Sequence, residues 1–175
     1  MEKSCCMADK SSLMADTWQG KVKTYFPLIV ILAVSFFVAV VLSVQGSVPF
    51  MNALMGVFLM ILSVLKLFDV RAFADSFARY DILAQHYRCY ALAYPFIELA
   101  FACLYLSDVC PVLTNLAFAV VMAVGTVGAW RVVQSGAQFQ CACVGTGFNL
   151  PVGRVTLAEN VSMGAMAILN LIQWL

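Results

Sequence analysis

The sequence predicts an all-α integral membrane protein with five spans, and three observations predict it. The chain has 175 residues, 63% of them hydrophobic and 11% charged, with a mean hydropathy of +0.94, whereas a soluble domain carries about 25% charged residues. Apolar runs recur at the length of about 20 residues that crosses a hydrocarbon layer of roughly 30 Å. All ten Lys and Arg residues fall on one side of those runs. So little charge excludes a disordered chain, and a net charge of +1 leaves no basic surface for nucleic acid.

The first run, 25–44, carries no charge. Its apolar core is too long for a cleavable leader and no small-x-small site follows it, so it reads as a retained anchor. The second, 50–67, closes on Lys66 and Asp69. Between it and the third lies a segment, 69–87, too polar to cross. Phe73, Phe77 and Tyr80 recur there at i, i+4, i+7, while Asp75 and Arg79 are spaced to pair at i, i+4. That pattern predicts one amphipathic helix in the membrane interface. The third run, 89–106, holds a single ionisable group, Glu98, and the fourth, 112–130, holds none. The fifth, 155–175, is the weakest, because Glu159 and Asn160 stand in its first turns.

Basic residues accumulate in cytoplasmic loops. Lys3, Lys10, Lys21 and Lys23 precede the first run; Lys66, Arg71, Arg79 and Arg88 lie between the second and third; Arg131 and Arg154 lie between the fourth and fifth. The amino terminus and both longer loops are therefore expected in the cytoplasm of a bacterial inner membrane, and the carboxyl terminus outside.

Seven cysteines are many for this length. In Cys141-Ala142-Cys143 two thiols spaced i, i+2 cannot form a relaxed disulfide, so a bond between them would be readily reduced. The same spacing lets both thiolates close on a soft ion such as Cu(I). Gly136, Gly145, Gly147 and Gly153 around them permit close backbone approach. A redox or metal role for this pair ranks above simple packing. Cys5 and Cys6 form a second pair on the same predicted side. Cys103 and Cys110, about 10 Å apart on an unbroken helix, are too far apart to bond, and Cys103 is expected to pack alone.

Glu98 lies roughly 15 Å deep, counting 1.5 Å per residue from Arg88. An acid at that depth costs about 2.5 to 3.5 kcal/mol, so it must be protonated, paired, or turned to a wet cavity. Pro95, one turn earlier, frees a backbone carbonyl nearby. Asn160 is a candidate partner; Lys66 stands near the cytoplasmic edge unless its stem reaches inward. His86 has no second histidine or acidic cluster beside it, and the nine methionines are scattered as packing residues. No phosphate loop, His-Glu-x-x-His or Ser/His/Asp set occurs.

Read in order, Lys66-Leu67-Phe68-Asp69 with Phe73 and Tyr80, Pro95-x-x-Glu98, Cys141-Ala142-Cys143-Val144-Gly145, and Glu159-Asn160 opening the last helix resemble the MauE family of methylamine-utilisation membrane proteins, within the wider DoxX-like group. The resemblance begins near residue 50 and runs to the carboxyl terminus. It implies a four-helix DoxX/MauE-like bundle over 49–175, with an interfacial helix at about 69–87 and a Cys-x-Cys loop at 132–154. To this the chain adds a cytoplasmic tail, 1–23, and an extra transmembrane helix, 24–45. It also implies thiol-disulfide chemistry in maturing a partner such as methylamine dehydrogenase. Cys141 and Cys143 take the place of the family's Cys-Gly-Cys element, and Glu98, Lys66, Asp69 and Asn160 are expected to shape a polar interior. Because the pair is expected inside, its partner is either a cytoplasmic thiol donor such as glutaredoxin or, across the bilayer, a periplasmic client. The alternative is passage of a soft cation, Hg(II) or Cu(I), on Cys5, Cys6, Cys141 and Cys143, as in the small mercury-transport membrane proteins. The pattern assigns no quinone site.

Overall fold

The computed structural model describes residues 18–79, 81–135 and 152–174. Every element among them is helical: α1 (Trp18–Val44), α2 (Phe50–Leu67), α3 (Val70–Phe77), α4 (Ile82–His86), α5 (Arg88–Ser107), α6 (Pro111–Ser135) and α7 (Val152–Trp174). Three of these stretches, Phe50–Leu67, Arg88–Ser107 and Pro111–Gln134, are long and apolar enough to cross a membrane, and the Leu28–Val44 part of α1 is a shorter apolar helix.

Local chemistry sets the helix ends. Gly46, at φ +69°, lets the chain leave α1 by sending the Gly46 and Ser47 N–H groups back to Ser43 and Leu42 carbonyls at 3.0 and 3.2 Å, a left-handed cap that glycine adopts without strain. Pro49, with ψ 141°, holds the residue before α2 extended. At the other end of α5, Asp108 sits at φ 49° and donates its N–H to Leu104 and Tyr105 carbonyls. Pro111 then opens α6, where its missing N–H forfeits nothing.

Helix α6 packs along α7, α2 along α5, and α1 along α2, while α3 and α4 fold across α5 at one end. Small residues set the seams. A Cβ on Gly56 of α2 would lie 2.7 Å from Leu106 Cγ, and one on Gly125 of α6 would lie 2.8 Å from Asn160 Nδ2. Met55, Leu59, Leu62, Tyr105, Phe118, Met122 and Met163 fill the centre. The outward faces are apolar too: Ile29, Phe36, Phe37, Leu113, Val120, Ile168 and Ile172 are exposed. A surface of this kind suits a hydrocarbon solvent.

Three expectations change. The amphipathic segment is two helices rather than one, because Asp81 turns its carboxylate back to cap Leu83 and Ala84 N–H groups at 3.0 and 2.9 Å, starting a new helix. Asp75 pairs with Arg88 at 2.8 Å instead of Arg79, since α3 ends at Phe77 and the i, i+4 geometry does not continue. Cys103 is exposed rather than packed. The inner face of α5 runs through Ala91, Tyr94, Pro95, Glu98, Ala102 and Tyr105, and residue 103 lies on another side.

A buried ion pair under the interfacial helices

Lys66 is the penultimate residue of α2 and Glu98 lies midway along α5. The lysine stem turns into the bundle, and Nζ meets Oε1 and Oε2 of Glu98 at 2.7 and 2.6 Å. Their side chains are only 5% and 6% exposed. Helix α3 roofs the pair because Phe73 and Phe77, one turn apart, both face inward. Phe77 lies 4.4 Å from Tyr94 between ring centroids, and the Lys66 ammonium lies 5.4 Å from the Phe73 centroid and 5.5 Å from that of Tyr94. The negative faces of these rings favour a cation there.

The first turns of α7 close the niche with Thr156, Glu159 and Asn160, beside a cavity of about 20 Å³. That volume admits about one water. The stranded acid is therefore paired, and the partner that closes on its carboxylate is Lys66, with Asn160 on the wall. Sequence distance misled here only because Cα heights ignore the reach of a four-methylene stem. Asp69 stands outside the niche, exposed, where its carboxylate accepts from Ala72 N–H at 3.0 Å and caps α3. Lys66, Glu98 and Asn160 thus come together and Asp69 does not. Cys5, Cys6, Cys141 and Cys143 lie outside the described residues. Among the described residues no group of three or more His, Cys, Asp or Glu side chains could hold a metal ion.

A second polar cluster, at the Asp108 end, was not anticipated. Asn170 of α7 donates from Nδ2 to Asn52 of α2 and, at 3.4 Å, to Asn115 of α6. Asn52 in turn donates to Asp108 at 2.6 Å, and Tyr105 donates its hydroxyl to Asn115 at 3.0 Å. Asn52, Asn115 and Asn170 are all at most 3% exposed. The presence of Asn52, Asn115 and Asn170 inside apolar runs was the available signal, because an amide inside a span needs an interhelical partner.

A chain whose described elements are all helices, with an apolar exterior, three helices fit to cross a bilayer and the Lys66–Glu98 pair sealed inside, is a multi-pass membrane protein. Within that class it belongs to the family of methylamine utilisation protein MauE, whose family model matches residues 44–173. The match takes in α2 to α7 and leaves nearly all of α1 outside, as the order of motifs implied. No curated protein and no solved structure matches the chain.

Proposed function

We propose that this MauE-family protein is an inner-membrane thiol-redox protein that assists disulfide chemistry in maturing a partner such as methylamine dehydrogenase, with Cys141 and Cys143 as the exchanging pair. Membership of the family is the observation that carries the reading. The chain's connectivity supports it: the segment bearing both cysteines joins α6 to α7, and the first turns of α7 line the Lys66–Glu98 niche. In the exchange, one thiolate attacks a partner disulfide and the second resolves the mixed disulfide. The pair is oxidised by two electrons, the partner is reduced to two thiols, and two protons pass with them; the reverse direction oxidises the partner. Five spans, a cytoplasmic amino terminus and an external carboxyl terminus complete the proposal, on the one-sided placement of the ten basic residues. A glutaredoxin-type donor then serves the pair from the cytoplasm.

Trapping thiols with a mass-tagged alkylating reagent in growing cells, before and after reduction, tests this. A tag number that rises on reduction in the wild type and not in Cys141→Ser or Cys143→Ser is expected. Full reduction under every growth condition, with silent serine variants, would overturn it. The Cys5-Cys6 pair on the same predicted side favours soft-cation delivery as the second reading. Equal Hg(II) uptake by wild type and Cys143→Ser would remove it.

A further inference from the structure

The niche around Lys66 has the composition of a receptor for a primary ammonium ion. A carboxylate takes two N–H donors, at 2.7 and 2.6 Å. Two aromatic faces stand 5.4 and 5.5 Å from the nitrogen, and the wall adds the polar side chains of Thr156 and Asn160 and a second acid, Glu159. The group filling it is a CH2–NH3+ head on a flexible stem. A free methylammonium ion is that same head without its stem.

We propose that the niche binds short primary alkylammonium ions, and that Lys66 is a tethered occupant which exchanges with them. Nothing in this depends on the thiol reading. Simple withdrawal of Lys66 would strand Glu98 as a buried unpaired charge, which is strongly unfavourable. Exchange avoids that, because an incoming cation restores the ion pair while the lysine swings toward the membrane interface. Lys66 is suited to leave, since it is one residue from the end of α2 and is followed by the turn at Phe68 and Asp69. Its stem can carry the charge outward to water as readily as inward. The cavity of about 20 Å³ beside the pair holds about one water, so the incoming head takes the place that the lysine head vacates. Ligand binding thereby releases a positive charge at the α2–α3 junction, beside the helix that supplies Phe73, one of the two rings that faced it.

The test measures thermal unfolding of the purified full-length protein in detergent against increasing amine chloride, with NaCl at matched ionic strength as the reference. Lys66→Ala removes three methylenes and the amine, so propylammonium should stabilise that variant most. Ethyl- and methylammonium should follow, each about fourfold weaker per methylene lost. Lys66→Met refills the stem and removes the head, so its preference should reverse toward methylammonium over propylammonium. This second variant also serves if Lys66→Ala does not fold. In the wild type methylammonium should act at tenfold or higher concentrations than in Lys66→Met, because Lys66 must first be displaced. Tetramethylammonium, which cannot donate to Glu98, should act no better than NaCl, and adding Glu98→Gln to Lys66→Met should abolish the response. A wild type that responds to methylammonium only as it does to NaCl overturns the exchange. Equal responses of the Lys66 variants to methyl- and tetramethylammonium, or a chain-length order that is the same in both, overturn the site itself.

Discussion

Removing either partner of the Lys66–Glu98 pair leaves a charge among side chains that are 5% and 6% exposed, and that asymmetry decides what mutations do. Breaking a buried pair costs about 3–5 kcal/mol, whereas replacing both partners by apolar groups of similar volume is often close to neutral. Glu98→Ala should therefore destabilise the protein by about that amount, and Lys66→Met with Glu98→Leu by much less. Equilibrium unfolding of both variants in detergent compares them, and additive losses would refute the coupling. Asp81 presents a different residue-scale case, outside the long apolar helices. It is 1% exposed, and although Oδ1 caps α4, Oδ2 has no hydrogen-bond partner among the described residues. Burial pushes its pKa above the usual 3.8, against the pull of the Ala84 and Leu83 N–H groups. The folded carboxyl then holds its proton to a higher pH than the unfolded one. Its contribution to stability is full below the unfolded value and is lost as pH rises toward the folded one. Asp81→Asn keeps an oxygen for the cap and cannot ionise, so it should flatten the stability curve above about pH 4. Parallel curves for wild type and Asp81→Asn would show that the carboxyl is not the source.

Between helices the close approach at glycine sets the register, and Gly56, Gly125 and Gly164 separate into two kinds. At Gly56 a methyl would meet Leu106 at 2.7 and 2.9 Å and the Ala102 carbonyl at 3.2 Å; at Gly125 it would meet Asn160 at 2.8 Å. Gly164 has only Met122 Cβ, at 3.5 Å, an ordinary contact. Gly56→Ala should cost about 1–3 kcal/mol by overpacking the α2–α5 seam, while Gly164→Ala should gain about 0.5–1 kcal/mol from the lower entropy of the unfolded chain. Thermal midpoints moving in opposite directions would confirm the distinction, and the same direction for both would refute it. The long helices were legible in the sequence because hydrocarbon thickness fixes the length of an apolar run. The break between α3 and α4 was not, since Asp81 reads equally as an interior polar position and as a cap. The asparagine cluster escaped because it joins residues 118 apart in the chain, Asn52 and Asn170, and no periodicity links them. The weakness of the last run has a physical origin as well. Thr156, Glu159 and Asn160 lower its hydropathy because they face the ion-pair niche, so the feature that obscured the helix is part of the site.

At the scale of the whole molecule, which end of the helices faces which compartment decides what can reach the segment between α6 and α7. Helix α5 supplies the measuring rod. Its 20 residues rise about 30 Å, the thickness of the hydrocarbon layer. It carries Cys89 near its start, and Cys110 follows it in the turn to α6; both are free thiols and exposed. The thiols therefore mark opposite faces. Basic residues crowd the Cys89 end, with Arg71, Arg79 and Arg88 nearby in sequence, whereas Asp108 is the sole charge between α5 and α6. The positive-inside rule predicts Cys89 in the cytoplasm and Cys110 outside, in line with the proposed topology. Single-cysteine variants retaining one or the other, exposed to a membrane-impermeant maleimide in intact spheroplasts, should label at Cys110 at once and at Cys89 only after lysis. The reverse pattern would invert the molecule and bring the Cys141–Cys143 segment to the periplasm. Direct exchange with a secreted client would then replace service by a cytoplasmic donor. Labelling of both positions without lysis would mean that α5 does not cross, and the five-span arrangement would fall with it.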